Sequence, residues 1–430
     1  MNLLIKNLLI KIYLRNILLL SIFLMLIFSI KLEAKSSKNN NYTTTTNNNK
    51  NIPILNDEES ISSSNITNNN ISIFSLLVNN NPKQLKEILG YNPQFANDQN
   101  LLGETPLMYA LKNNLKKEII LELLKYSNLF LVNKENKTSL MYAIQYKADK
   151  TIIKNIIRSE IDINAKDVEG NNALLYSAIY NPNPIIMHQL YQAGINMKHT
   201  NNNGDNALIL AAKFTENTES ISFLLNHGLD LFSRNLIGQN SLMLSTLNPN
   251  IKIMRFLLTQ KVKLKNNSKT TYIDFDINER SNTGYNALMY AISNSNFAAV
   301  KFLLDKKINL NAKDIQGKNA FLLAVQLNSN LDMLEYLVKK GINIHEADDE
   351  GKNAIMYSAE YNSNPEILHY LITLEINPKL KDKKGLNSFD YAKNNPHIKN
   401  SKMYWEIHDL VSEEEIKEST TSSTKKKYKK

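Results

Sequence analysis

Cysteine is absent from this chain of 430 residues. Disulfides, cysteine-ligated zinc, a thiol nucleophile and a lipidated cysteine are therefore excluded, and the core alone must hold the fold together. Glycine is scarce, at 12 residues, and no phosphate-binding glycine loop is visible. There is also no G-x-S-x-G elbow, no H-E-x-x-H pair and no paired-carboxylate motif. The histidines, His188, His199, His227, His345, His369, His397 and His408, include no close ligand pair and read as surface or helix residues. No catalytic, cofactor-binding or metal-binding residue is expected, and no cofactor. What the chain does have is apolar surface to bury, with 43% hydrophobic residues. Asparagine, isoleucine, lysine and leucine are abundant, a bias that reads as an AT-rich genome rather than as function.

The net charge of +10 sits at the two ends. Residues 1–38 contribute +5, from Lys6, Lys11, Arg15, Lys31, Lys35 and Lys38 against Glu33. Lys425, Lys426, Lys427, Lys429 and Lys430 contribute another +5, which leaves residues 39–424 formally neutral. A nucleic-acid binder needs a basic face on its folded body. This body has no excess charge to build one, so nucleic acid is not an expected partner, and the pI of about 9.2 comes from the ends.

Lys6, Lys11 and Arg15 precede an uninterrupted apolar run from Ile17 to Ile30. That run is short for a spanning helix, which needs about 20 residues, and has the length of the apolar region of an export signal. Ala34 is an acceptable small residue before a cut, whereas Leu32 fits poorly two positions earlier. Residues 1–34 thus read as a signal peptide or as an N-terminal membrane anchor, the only expected membrane contact. The protein is expected to be exported, to the periplasm, the cell envelope or beyond. Residues 35–70 are rich in Asn, Ser and Thr and read as a disordered linker; residues 412–430 read as a disordered basic tail.

Self-similarity is the strongest signal in the body. Aligned on Gly103, Asn136, Gly170, Gly204, Gly238, Gly284, Gly317, Gly351 and Gly385, the chain shows successive spacings of 33, 34, 34, 34, 46, 33, 34 and 34. Two residues after each anchor stands a helix N-cap type, from Thr105 and Thr138 through Asn172 to Asn387. A large apolar residue follows, such as Leu107, Leu174 or Phe321. Three positions later the residue is always small, as at Ala110, Ser177 and Ala211, which implies close helix approach. Asparagine-rich turns such as Asn181-Pro182-Asn183-Pro184 suit a tight link to a second helix.

These units resemble the ankyrin repeat, whose pattern is roughly D-x-x-G-x-T-P-L-H-x-A with a later G-A-D-V-N-A. GETPLMYA (103–110) and GINIHEADDEGKNAIMYSA (341–359) carry the resemblance most clearly, and it extends over about residues 72–397. It implies an all-α solenoid of helix-turn-helix units with β-hairpin finger loops, a protein partner and no catalysis. The expected repeat domain is 71–397, with a degenerate capping repeat at 72–90 and a C-terminal capping helix at 398–411 around Met403, Trp405, Ile407 and Leu410. The family's Thr-Pro survives only at Thr105-Pro106. Its histidine is replaced by residues such as Met108, Met141 and Met356, so the hydrogen-bonded tie between neighbouring turns is expected to give way to apolar packing. The spacing of 46 holds an insertion near 262–276, in which TTYIDFDI (270–277) alternates like an extended hairpin.

Tyrosine recurs just before the small residue, at Tyr109, Tyr142, Tyr176, Tyr290, Tyr357 and Tyr391, and reads as half-buried packing. A second row follows four residues on: Asn113, Tyr146, Tyr180, Phe214, Asn248, Asn294, Leu327 and Tyr361. In ankyrin proteins this end of the first helix faces the concave groove. The resemblance therefore marks Tyr146, Tyr180, Phe214, Leu327 and Tyr361 as partner-binding candidates, aromatic side chains being good anchors; the alternative is that they lid the turn below them. Asn248 and Asn294 break the row, and the longer finger near Tyr272 to Phe275 could close over the groove beside that break. Glu346, Asp348, Asp349 and Glu350 read as a solvated acidic fingertip, since the ligand order of a calcium loop is missing. The expected function is a non-enzymatic scaffold, a monomer, that binds a partner protein through its concave face and fingers. The alternative is a membrane-tethered envelope protein or a host-directed secreted effector using the same surface.

Overall fold

The computed structural model describes residues 72–412 apart from 267, 268, 328 and 329. The expected export segment, the linker and the tail beyond Ser412 lie outside these residues. The described chain folds as an all-α repeat solenoid. It opens with α1 (Ile73–Val78) and α2 (Pro82–Tyr91), a helix pair without a finger. Repeats 1 to 4 follow as α3 (Pro106–Lys112) with α4 (Lys117–Tyr126), α5 (Ser139–Gln145) with α6 (Lys150–Arg158), α7 (Ala173–Tyr180) with α8 (Pro184–Gln192), and α9 (Ala207–Phe214) with α10 (Thr218–Asn226). Repeat 5 is α11 (Ser241–Ser245) with α12 (Lys252–Leu257), then the hairpin β1 (Lys261–Asn266) and β2 (Lys269–Asp274). Repeats 6 to 8 are α13 (Ala287–Ser293) with α14 (Phe297–Asp305), α15 (Ala320–Leu327) with α16 (Leu331–Lys339), and α17 (Ala354–Tyr361) with α18 (Pro365–Thr373). Repeat 9 is α19 (Ser388–Ala392) with α20 (402–412).

The first helix of every repeat starts at the residue type that the sequence marks. Thr105 and Thr138 accept from the N–H groups of Met108 and Met141 at 3.3 Å, and Asn172, Asn206 and Asn353 do the same for Leu175, Ile209 and Met356 at 3.0–3.1 Å. Each cap satisfies one donor that the first turn would leave unpaired. The small residue of each first helix, from Ala110 to Ala392, is fully buried. It lets successive first helices pack directly on one another, and that layer is more densely packed than the layer of second helices.

The fingers are tight turns built around one acceptor side chain. Asp167 Oδ1 accepts from the backbone of Glu169 and Asn171 at 3.0 and 2.7 Å, and Asn235 and Asp314 close their turns in the same way. Among the described residues outside the insertion, strand pairing within a finger is limited to single bridges, Thr200 with Asn206 and Ala347 with Asn353. Between fingers the backbone is continuous. Lys134 N–H donates to Leu102, Val168 to Glu135, Asn202 to Glu169, and so on to Lys383 and Glu350, at 2.8–3.1 Å. This ladder explains the anchor glycines from Gly103 to Gly317. At Gly204, φ is +77° and an added Cβ would lie 2.8 Å from the Leu236 amide nitrogen. Only Asn136 replaces glycine at an anchor, with φ of 58°, a conformation asparagine tolerates.

Where the family's histidine would stand, Met108, Met141 and Met356 are buried in apolar packing as the sequence predicts; at other positions, hydrogen bonds tie the helix–helix turns together. Asn248 Nδ2 donates to the Thr215 carbonyl at 2.5 Å, Asn296 Nδ2 to Thr246 and Asn248 at 2.9 Å, and Asn395 Nδ2 to Ala359 and Asn362 at 3.0 and 2.9 Å. Asparagine is thus a structural residue here, at caps, finger turns and inter-repeat ties, and not only a compositional bias. His199 is buried in a link rather than on the surface or in a helix, its Nε2 lying 2.7 Å from the Gly170 carbonyl.

The insertion forms the expected hairpin, with Lys261 opposite Asp274 and Asn266 opposite Lys269. Its root is anchored by Phe275, which is buried against Phe232, ring centroids 6.0 Å apart. Phe232 belongs to the link after α10, so Phe275 packs among the links and does not cover the helix ends. The sequence places the closing helix at 398–411. Asn400 sits in the left-handed region at φ 66° and Ser401 Oγ accepts from Tyr404, so the helix runs over 402–412. Among the described residues no helix is long and apolar enough to cross a membrane.

Candidate functional site

The candidate residues stand where the first helices end. Tyr180, Phe214, Leu327 and Tyr361 are the last residues of α7, α9, α15 and α17, and Tyr146 follows α5 directly. All are exposed: Tyr146, Tyr180 and Phe214 at 38%, Leu327 and Tyr361 at 53%. Because α5, α7 and α9 pack side by side, Tyr146, Tyr180 and Phe214 occupy equivalent positions on three neighbouring helices. Leu327 and Tyr361 form a second, shorter stretch on α15 and α17. The positions between are not available: Asn248 is buried and holds Thr215, while Asn294 Nδ2 donates to Thr246 Oγ1 at 3.0 Å.

Each tyrosine of the row leans on another tyrosine one turn earlier. Ring centroids are 5.7 Å apart for Tyr142 and Tyr146, 5.5 Å for Tyr176 and Tyr180, and 6.2 Å for Tyr357 and Tyr361. Of the tyrosines expected to be half-buried, Tyr109, Tyr290 and Tyr391 are so, whereas Tyr142, Tyr176 and Tyr357 are buried more deeply, and their hydroxyls reach the fingers. Tyr142 donates to Glu104, Tyr176 to Asp167 and Tyr357 to Asp348, at 2.9, 2.9 and 2.6 Å. Burial, and then the acid partner, pushes all three hydroxyls well above the ordinary tyrosine range. Phe214 has leucine beneath it, and the Lys213 ammonium lies 4.7 Å from its ring centre. In Tyr146, Tyr180 and Tyr361 one part of the ring rests on the tyrosine below and the rest faces out.

Charges near the finger bases are paired within the chain. Glu104 binds Lys112 at 2.7 Å and Glu135 binds Lys137 at 2.6 Å. At the other end of the stack Lys352 pairs with Glu360 and lies over the rings of Tyr357, Tyr361 and Tyr391 at 4.6, 4.9 and 4.1 Å. Burial pushes its pKa down to about 8, and also lowers that of Lys318. The fingertip at 346–350 is less free than its composition implies. Asp348 holds its own turn and Tyr357, and Glu346 pairs with Lys313, which leaves Asp349 and Glu350 outermost. Among the described residues no three His, Asp or Glu side chains gather as a metal site requires.

A second exposed line was not singled out from the sequence. Leu101, Val168, Leu236 and Ile315 stand at the tips of fingers 1, 3, 5 and 7, exposed at 55–90%. The residues at the same place in fingers 2, 4, 6 and 8 are Lys134, Asn202, Asn282 and Asp349. Asn202 and Asn282 turn back to bond the carbonyls of Val168 and Leu236 at 3.0 and 3.1 Å. The alternation is readable as a period of two repeats in the position two before each of the first eight anchors; Lys383, before Gly385, ends it.

A family model described as ankyrin repeats (3 copies) matches residues 66–167, 174–270, 233–314, 266–348 and 309–382. No curated protein matches the chain. The matched segments cover most of the described residues and coincide with the helix pairs, the fingers and their ladder; the chain belongs to the ankyrin-repeat family.

Proposed function

We propose that the chain is a non-enzymatic scaffold that holds a partner protein along Tyr146, Tyr180 and Phe214, with Leu327 and Tyr361 as a secondary contact and the fingertips as a rim. Ankyrin repeats generally mediate protein–protein interaction, and proteins built from them are typically scaffolds rather than enzymes. The observation that carries the reading is the row itself: three exposed aromatic rings in equivalent positions, two of them resting on a buried tyrosine below. Rigid aromatic anchors give contact area at little entropic cost and dominate interfaces. The reading includes export directed by residues 1–34, supported by the apolar run Ile17 to Ile30.

The test is the triple change of Tyr146, Tyr180 and Phe214 to alanine. Truncation of one such anchor typically costs about 2 kcal/mol of binding or more. Partner affinity should therefore fall by a large factor while thermal unfolding of the stack moves little. Retained affinity with lost stability would make the row structural and move the docking site to the fingers.

A further inference from the structure

The spacing of the row restricts the backbone that can lie across it. Directly packed helices have axes about 8–10 Å apart, and Tyr146, Tyr180 and Phe214 sit on three such neighbours. A β-strand presents same-face side chains about 6.6 Å apart, then about 13 Å, and neither matches. A polyproline-II chain returns to one face every third residue, about 9.3 Å further on. An α-helix comes near the upper limit only at every seventh residue, about 10.5 Å.

The hydroxyls decide between these two. Tyr142 and Tyr176 donate to finger acids, but the Tyr146 and Tyr180 hydroxyls above them have no hydrogen-bond partner among the described residues. Burial raises the Tyr180 pKa, so this group stays a neutral donor. A polyproline-II backbone makes no internal hydrogen bonds, and its carbonyls seek donors. A helix has already used its own carbonyls along its length.

Charge is graded along the same edge. The turns of repeats 1 and 2 expose Lys116, Lys117, Lys147 and Lys150 against Glu118 and Asp149. The turn of repeat 3, Asn181-Pro182-Asn183-Pro184, is uncharged, and that of repeat 4 exposes Glu216 and Glu219 beside the half-buried Lys213. We propose, on the docking reading above, that the partner segment is a proline-rich polyproline-II stretch lying across α5, α7 and α9. Every third residue stacks on Tyr146, Tyr180 or Phe214. Its acidic end lies over repeats 1 and 2, and its basic end lies over repeat 4.

The test uses the full chain and fluorescence anisotropy of labelled synthetic peptides. One peptide carries a Pro-x-x-Pro-x-x-Pro core with two glutamates at one end and two lysines at the other, made in both chain directions. A second has the same core with lysines at both ends. A third is a helix-forming peptide with leucine at every seventh position. At least one bipolar peptide should bind more tightly than the lysine-flanked one. Its affinity should fall by about tenfold in the Tyr146→Phe/Tyr180→Phe double variant, which removes only two neutral hydrogen bonds. It should fall by about thirtyfold or more in the triple alanine variant. Equal binding of bipolar and lysine-flanked peptides, no effect of the double phenylalanine variant, or no peptide binding at all would overturn the proposal. Binding of the helical peptide alone, lost in the triple alanine variant, would overturn the polyproline-II assignment while leaving the row a docking site.

Discussion

The Tyr176 hydroxyl donates to Asp167 Oδ2 at 2.9 Å while Asp167 Oδ1 accepts from the backbone of Glu169 and Asn171. One carboxylate therefore closes a finger with one oxygen and fixes a first helix to it with the other. Asp348 with Tyr357 and Asp382 with Tyr391 repeat the arrangement. Since Tyr176 also supports the Tyr180 ring, the finger, the core tyrosine and the exposed row form one connected unit. Loss of the phenolic hydroxyl alone, in Tyr176→Phe, should cost about 1–2 kcal/mol. Asp167→Ala leaves two turn N–H groups and the hydroxyl unpaired and should cost about 2–4 kcal/mol. Urea unfolding checks this; equal costs would mean that the turn does not depend on the carboxylate.

The ladder between fingers makes a contrasting prediction for two glycines with the same backbone conformation. Gly204 has the next finger's backbone against it, whereas Gly385, in the last finger, has nothing within 4 Å of an added Cβ. Gly385→Ala should cost about 1 kcal/mol, the penalty of a left-handed non-glycine residue. Gly204→Ala should cost at least about 2 kcal/mol, because the neighbouring backbone must also shift. Thermal unfolding of the two variants decides; a larger loss at Gly385 would contradict the ladder's role.

The stacking of the chain was legible because its signals are local. A cap residue, an apolar residue and a small residue at fixed offsets declare a first helix without knowledge of its neighbours, and all nine anchors obey. The hairpin was legible for the same reason, through the alternation of 270–277. What escaped the sequence depends on partners one repeat away. Asn248 reads as a break in the aromatic row, yet its amide reaches Thr215 in the preceding repeat. His199 reads as a surface residue until Gly170, a full finger earlier, is seen to be its partner. The Asp–Tyr link did leave a trace, a constant offset of nine residues from Asp167, Asp348 and Asp382 to Tyr176, Tyr357 and Tyr391. The exposed row was found from its register; its support by the tyrosines below required the packed helices.

Titration gives a prediction with a definite sign. Lys352 is shifted from an ordinary 10.5 down to about 8 by burial, with Lys384 and Lys318 adding repulsion, and Asp348, Asp382 and its ion-pair partner Glu360 opposing it. Between these values the unfolded chain holds a proton that the folded chain does not, so stability should rise as pH rises from about 8 towards 10. Below pH 8 both states are protonated and the penalty is constant. Tyr142, Tyr176 and Tyr357 act in the opposite sense above their ordinary 10.0: the unfolded chain ionises first, and stability falls. The stability curve should peak near pH 10, with a rise of the order of 1–3 kcal/mol from the lysine. Chemical denaturation at a series of pH values measures it, and Lys352→Met should flatten the rise between 8 and 10. A wild-type curve that already falls in that window would contradict the burial of this ammonium.

The most direct measurement of the proposed docking along the row is site-specific photo-crosslinking in the cells that make the protein, comparing Tyr180 with Tyr191. The two are similarly exposed, at 38% and 45%, but Tyr191 lies on α8, among the second helices, beside His227. A benzophenone side chain at 180 should give a discrete protein adduct that disappears when Tyr146 and Phe214 are changed to alanine, and one at 191 should give none. A discrete adduct from 191, with none from 180, would contradict docking along the row of first-helix ends.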